Sequence, residues 1–581
     1  MSASPPPGPG ASAVAEAPPA SAPEAPAARL LRERLGARVR AVEEFRGDLA
    51  ITVEAGAWRE AARLLKEDPA LDFKLFLDLC AVDRLDEDAE EERERFEVVL
   101  HAYSVTHKHH VRLKTALPEA EARVETLTPV YRGANWFERE AWDLYGVVFD
   151  GHPKLTRLLT HRDFVGHPMR KDYAQGRRHV LKSPEAWLLD VPPGSESMVV
   201  NIGPSHPAMH GTFRVQALMD GETIADAEAE IGYMHRNFEK MAEARTYWQI
   251  IPYTDRLNYC SSFMNGHGWA LAVEKLLGIQ APPRAEAVRV ILSEFSRIMD
   301  HIICIGTNVV DLGAITPFFV MFRAREDIYD LLEACCGARL TVSYVRIGGL
   351  AADVPEDFAA RCAKALASVR EIVSQCDRLL TRNAIFTSRF RDVGVLSAEA
   401  ALDYGWVGPC LRGAGVAYDV RKDHPYSGYE QYDFDVPVGA VGDCYDRYLV
   451  RMEEMRQSLR IIEQALARLP GGPVIVEDKT VALPPKSEVY SNIEALMNHF
   501  KLIYEGILPP RGEVYGYTEA ANGELGYYIV SEGKKFPHRV KVRPPCFNIY
   551  QAFPEMIKGG MLADAVAIIG GLNVIAGELD R

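Results

Sequence analysis

Apolar side chains recur at three- and four-residue steps through long stretches of the second half of the chain. Leu449, Met452, Met455, Leu459, Ile462 and Leu466 show the pattern most plainly. That period predicts amphipathic helices over residues 233–248, 261–277, 284–312, 323–336, 357–381 and 441–469. Ahead of them, residues 198–202, 212–219 and 223–231 read as strands, and a small β region closes the chain at 512–517, 525–531 and 539–543. The first half differs. It opens with helices at 29–35 and 58–66, and then alternates at 96–104 and 111–117 around the short polar VTHKHH, a β-hairpin signature. The acidic run 86–94 is a solvated loop in this reading. Residues 174–197, with GRR, SPE and PPGSES, form a linker. The Ala/Pro-rich residues 1–28 bury too little apolar surface to order themselves. The expected class is therefore α+β. A small N-terminal α/β domain (29–173) precedes a mainly α-helical domain (198–581) with small β regions at its start and end.

A length of 581 residues fits this division, since one core rarely grows past roughly 300 residues. Apolar residues make up 48% and charged residues 25%, ordinary values for a globular chain. Lys and Arg number 66 against 81 Asp and Glu, a net charge of -15. That balance argues against nucleic acid as a partner, because phosphate contacts need clustered cations. The ten cysteines include no C-x-x-C pair. Short-spaced thiolates are the usual mark of iron–sulfur and structural zinc sites, so the chain is expected to hold no metal of its own. Scattered cysteines also read as reduced and intracellular. The most apolar stretch, 301–322, contains Asn308, Asp311 and Pro317. A carboxylate at a bilayer centre is costly, so this stretch is expected as a buried helix and not a membrane span.

Four segments carry candidate chemistry. NIGPSHPAMHG places His206 and His210 between prolines and glycines, a fixed loop that aims an imidazole, although a loop His taken alone is more often a structural hydrogen-bonder. YMHRNFEKMAEAR (233–245) carries Arg236 in a charged stretch that otherwise reads as a salt-bridged helix face. IPYTDRLNYC sets Tyr253 and Tyr259 around Asp255 and Arg256 at a helix break, which also fits a capped turn with two packed rings. Asp311 stands alone in an apolar run and needs a partner, for which a protonated His is the natural choice. In the first half, Glu138, Arg139, Glu140 and Asp143 lie among Trp136, Phe137, Trp142 and Tyr145. This is an interaction surface for neighbouring subunits in preference to a ligand site.

NIGPSHPAMHG, MHRNFEKMAEAR, PYTDRLNY, DLGAITPFF, YVRIGG, YDVRKDHPYSGYE, GELGYYIVSEG and RVKVRPP, in this order, resemble the D-subunit family of respiratory complex I. EREAWDLYGVVFDGHPKLTRLL and RDFVGHPMRKDY resemble its C-subunit family. The resemblance implies a fused C/D part of the peripheral arm of a proton-translocating NADH:quinone oxidoreductase. It implies a fold like the large subunit of nickel–iron hydrogenases, whose two C-x-x-C pairs are missing here. Nickel–iron chemistry is thereby excluded, and a vacated metal site reused as a quinone pocket is implied instead.

By the same resemblance, His210 and Tyr259 bond the quinone headgroup and Asp311 pairs with His210. His206 and Arg236 line the pocket or face an iron–sulfur cluster of a partner subunit. Where the family often has a His near that cluster, this chain has Thr341, which cannot titrate. No cofactor bound by this chain is expected; quinone is the substrate and the cluster belongs to a partner. The implied partners are the cluster-bearing B subunit, the peripheral I and G subunits and the membrane-arm H subunit. The implied place is the cytoplasmic side of the bacterial inner membrane, peripheral and without a transmembrane segment. No G-x-G-x-x-G opens a strand–helix unit, so the NADH site is expected on another chain. The rival readings are a non-catalytic scaffold and an energy-converting hydrogenase-like subunit.

Overall fold

The computed structural model describes residues 25–85, 94–174 and 197–581, with residues 176, 179, 180 and 189 between the last two. Most of the expected tail, the acidic run and the linker lie outside the described residues. The first unit is built on a five-stranded sheet. Its strands are β1 (Val39–Phe45), β2 (Asp48–Val53), β3 (Leu75–Asp83), β4 (Phe96–Ser104) and β5 (His109–Leu117), in the order β1-β2-β5-β4-β3. Neighbours are antiparallel except β2 and β5. The expected hairpin is β4–β5, with Phe96 opposite Leu117 and Ser104 opposite His109. Helix α1 (Pro26–Leu35) starts before the expected residue 29. Ala27 and Ala28 are buried, so the expected boundary at residue 28 falls inside this helix. Helix α2 (Trp58–Glu67) buries Trp58, Ala61, Ala62 and Leu65 on one stripe.

Strand β3 lies at the sheet edge, yet all nine of its residues are buried. The second unit covers it. That unit opens with an antiparallel three-stranded sheet, β6 (Met198–Ile202), β7 (Arg214–Asp220) and β8 (Thr223–Glu230). Near its end lies an antiparallel meander, β9 (Gly512–Ala520), β10 (Gly523–Ser531) and β11 (Arg539–Arg543), expected to close the chain but followed by four helices, from Pro545–Gln551 to Ala576–Asp580. The last strand aims arginines at the free edge of β3: Arg539 Nε donates to Ala81 O at 3.3 Å and Arg543 Nε to Leu77 O at 3.2 Å. Guanidinium groups thus occupy carbonyls that would otherwise template another strand.

Helix α3 (Ala134–Tyr145) corrects an expectation. Its charged residues Glu138, Arg139, Glu140 and Asp143 are all buried. Glu140 meets Lys541 Nζ at 2.7 Å and Arg581, both from the second unit. The aromatic, acidic segment therefore docks onto the other half of its own chain.

The expected helix 233–248 is two short helices, Phe238–Glu243 and Tyr247–Thr254, and residues 233–237 are not helical. Asn237 takes φ 56°, and Asp580 accepts the backbone N–H groups of Gly232 and Met234, so the C-terminal residues hold this stretch out of a helix. Helix α4 (Ser262–Leu277) packs on β9. The central element is α5 (Pro283–Asp311), which runs through the core beside Ile315–Cys336 and Cys444–Ala467. Pro317, expected to break a helix, sits in the first turn of Ile315–Cys336, where a missing N–H costs nothing.

The core of this unit is ionic as well as apolar. Glu294 and Glu454 bind Arg421 and Arg412, and Arg412 also reaches Glu519. These groups are fully buried, and each carboxylate faces at least one guanidinium. Removing one partner would leave an uncompensated buried charge, typically at a cost of about 3–5 kcal/mol.

Candidate functional site

The first candidate loop is shaped by its small residues. A Cβ on Gly203, at φ +82°, would collide with the Phe213 carbonyl oxygen and with Met209. Glycine therefore lets the loop fold back on itself. Met209 and Ala208 are buried and anchor a short 3-10 turn, Pro207–Met209. The two histidines cap that turn. His206 Nδ1 accepts from Ala208 N–H at 3.2 Å, which leaves the ring proton on Nε2 when the imidazole is neutral. His210 closes the turn in the left-handed region at φ 52°, with its imidazole exposed. The loop thus presents both rings at the surface of this chain.

Asp311 is the last residue of α5 and half-buried. Burial raises its pKa above the usual carboxylate range, while the charges of His210 and then His206 draw it down. The negative end of the helix dipole acts in the same direction as burial. The structure thus brings Asp311 within electrostatic reach of both imidazoles, with no direct hydrogen bond to either.

Tyr259 starts a second 3-10 turn, Tyr259–Ser261, between Tyr247–Thr254 and α4. Its ring is half-buried, and its hydroxyl bonds to no described residue of this chain. Burial, then Cys260, Cys546 and Asp300, push the phenol up to about 12, and Arg236 pulls the other way. Arg236 is exposed and donates to Arg256 O at 2.8 Å. A pair, Tyr259 and Arg236, therefore stands near the phenol, and a triad, His206, His210 and Asp311, stands at the end of α5. The two groups are joined by α5, which packs against both 3-10 turns. Three large cavities among the described residues, of 690, 530 and 450 Å³, are not lined by Tyr259, His210 or Asp311. The smallest of them touches Gly203 and Pro204 at the foot of the His210 loop.

Asp255 is buried next to this turn. It accepts the backbone N–H of Ser343 at 2.7 Å and the Ser343 hydroxyl, and burial raises it to about 6. It thereby ties the Tyr259 region to the loop that holds Thr341. The expectation of a merely capped turn missed this tie and three further buried residues below Tyr259: Asp300, Asn573 and Glu578. Asp300 accepts from Asn258, Ser261 and Asn573. Glu578 accepts the Cys546 N–H at 2.8 Å, and burial lifts it to about 7. No described group of three or more His, Cys, Asp or Glu side chains is arranged to hold a metal. No described helix is long and apolar enough to cross a membrane.

Comparison with known proteins gives the class of this mixed helix–sheet chain, a component of an oxidoreductase. The family model described as the 30 Kd subunit of respiratory-chain NADH dehydrogenase matches residues 51–179, and that of its 49 Kd subunit matches residues 311–581. The C/D subunit of the NADH-quinone oxidoreductase of Bdellovibrio bacteriovorus is 52% identical over 524 residues, covering 89% of this chain and 92% of that protein. The C/D subunit of Nitrosospira multiformis is 39% identical over 543 residues, 90% of this chain and 89% of the relative. The separate D 1 subunit of Sorangium cellulosum is 51% identical over 394 residues, 68% of this chain and 97% of that protein. The chain belongs to the C/D-subunit family of NADH-quinone oxidoreductase. It is an enzyme subunit, and its partners are other subunits of that enzyme.

Proposed function

We propose that the second unit supplies one wall of a quinone-reduction pocket, in which Tyr259 and His210 hydrogen-bond the two carbonyls of the headgroup. The observation that carries this reading is the position of α5. It packs against the turn that bears Tyr259 and the turn that bears His210, and its last residue, Asp311, lies in the field of the imidazoles. Electrons reach the quinone from an iron–sulfur cluster held by the B subunit. The I and G subunits and the membrane-arm H subunit complete the surroundings, on the cytoplasmic side of the inner membrane. A partner wall accounts for the exposure of His210 and Arg236 in this chain.

Reduction to a quinol takes two electrons and two protons. A phenol O–H and an imidazole N–H both donate to carbonyl oxygen and then release a proton to it. Tyr259 is suited to hold its proton until the carbonyl oxygen gains charge, because burial and nearby acidic groups oppose a free phenolate. Asp311 sets a carboxylate in the field of His210 and keeps a charge to be redistributed once that proton leaves. Arg236 and His206 help to set the local field around the phenol and the imidazole.

Tyr259→Phe tests the reading with no loss of packing volume. Quinone reduction is expected to fall about 10- to 100-fold, the equivalent of a lost hydrogen bond of roughly 1.5–3 kcal/mol that forms with developing charge. Assembly and NADH oxidation by an artificial acceptor upstream of the quinone are expected to stay intact. Full quinone activity in this variant would remove Tyr259 from the mechanism.

A further inference from the structure

Asp300 lies eleven residues before Asp311 on α5 and is fully buried. Among the described residues, its carboxyl has no cation in hydrogen-bonding contact and is met instead by three neutral donors. Asn258 Nδ2 and Ser261 Oγ both donate to Oδ2 at 2.8 Å, and Asn573 Nδ2 donates to Oδ1 at 2.6 Å. Asn258 and Ser261 are the residues that bracket Tyr259 and Cys260. One carboxylate oxygen therefore holds both ends of the 3-10 turn.

Asn258 is occupied on every side. Its Oδ1 accepts from Cys260 N–H at 3.1 Å, and its carbonyl accepts from Asn265 Nδ2 at 2.9 Å. Asn573 is equally fixed, because its Nδ2 also donates to Asn522 Oδ1 at 2.7 Å and its carbonyl accepts from Asn522 Nδ2 at 3.1 Å. The turn cannot rotate without breaking bonds that have no water to replace them.

We infer that Asp300 is a positioning residue for quinone reduction: it fixes the Tyr259 turn against α5 and so aims the phenol hydroxyl. This rests on the reading of Tyr259 as the quinone's donor. The polarity of the network makes the role specific. All three partners donate, so the group at 300 must accept on both of its oxygens. Asparagine at 300 still accepts from Asn258 and Ser261 through its amide oxygen, but its NH2 then faces the NH2 of Asn573. Exchanging the two side chains would not repair the pair, because Asn573 Nδ2 also serves Asn522 Oδ1; removing the Ser261 hydroxyl deletes one donor to Asp300 alone.

The test uses the assembled enzyme with Asp300→Asn, Ser261→Ala, Tyr259→Phe, and each of the first two combined with Tyr259→Phe. Asp300→Asn is expected to lower kcat for quinone reduction at least about tenfold, because a small misplacement of a reacting group is costly. Oxidation of NADH by an artificial acceptor is expected to be unchanged. Ser261→Ala, which removes one of the two donors to Oδ2, is expected to lower quinone reduction several-fold with the upstream acceptor activity unchanged, and to add no loss in the Tyr259→Phe background.

In the Tyr259→Phe background, Asp300→Asn is expected to add no further loss, since the group it aims is already gone. Full quinone activity in Asp300→Asn or in Ser261→Ala, or a loss in either that adds to that of Tyr259→Phe, would each overturn the inference. If Tyr259→Phe itself is fully active, the reading of Tyr259 fails and the inference fails with it. If Tyr259→Phe is impaired while Asp300→Asn is not, only the inference fails. Should Asp300→Asn not assemble, Ser261→Ala decides alone: an assembled enzyme with full quinone reduction would overturn the role.

Discussion

Glu578 lies in the interior under Tyr259 with no cation paired to it among the described residues, and burial is the largest influence on its carboxyl, raising it from 4.5 to about 7. A raised carboxylate favours its protonated form in the folded state. Its contribution to stability is therefore complete below the unfolded value of about 4.5 and is lost as pH rises to about 7, with no further change above. Glu578→Gln imitates the protonated form. Thermal unfolding of the purified chain between pH 5 and 7.5 should show the native midpoint falling with pH relative to that of Glu578→Gln. Parallel curves for the two proteins would contradict the assignment. Residues such as Glu578 and Asp300 were not legible in the sequence. Asp300 precedes a histidine inside a helix and looks ordinary, and its partners Asn258 and Asn573 are 42 and 273 positions away. His210, Tyr259 and Asp311 were legible as chemical oddities: an imidazole fixed by prolines and glycines, a tyrosine at a helix break and an acid in an apolar run.

Among the elements, the strongly periodic ones were readable nearly to the residue. The reading of 284–312 corresponds to Pro283–Asp311, and that of 441–469 to Cys444–Ala467. Their apolar faces and their ends are set locally. The stretch 233–248 was misread: Asp580 and Asn237 hold its start out of a helix from a distance, and its second break, at Thr246, carries a T-x-x-Q capping box that the apolar periodicity overrode. The short C-terminal helix Ala576–Asp580 has a further role in placing Tyr259. A Cβ on Gly577 would lie 2.6 Å from Arg256 O and 2.7 Å from Leu257 O, and 3.4 Å from the Tyr259 ring. The two closest contacts are backbone and have little room to yield. Gly577→Ala is expected to displace the turn and lower quinone reduction several-fold, with little change in acceptor activity upstream. An unchanged quinone rate in a folded, assembled Gly577→Ala enzyme would show that this helix does not set the turn.

Across the whole molecule, the two units meet through a buried ionic seam. Lys541 reaches Glu140 at 2.7 Å and Asp78 at 3.7 Å, and Arg581 also binds Glu140. Each half showed its own apolar pattern in the sequence, but this seam joins residues hundreds of positions apart and left no local signal. Cleavage within residues 182–196 is expected to leave the halves associated, because the seam and the sealed edge of β3 do not depend on the connection. Lys541→Met should separate the cleaved halves in a pull-down while leaving the uncleaved chain folded, since a covalent link maintains a high effective concentration. Separation of the cleaved native halves would show that the seam is weak.

The central claim concerns the place where quinone binds, and a photoreactive quinone headgroup reads it directly. Irradiated with the assembled enzyme and mapped by peptide mass, the label is expected on residues 252–260 and 203–212 of this chain, and to be displaced by excess native quinone. Specific, displaceable labelling confined to other segments or other subunits would contradict the account.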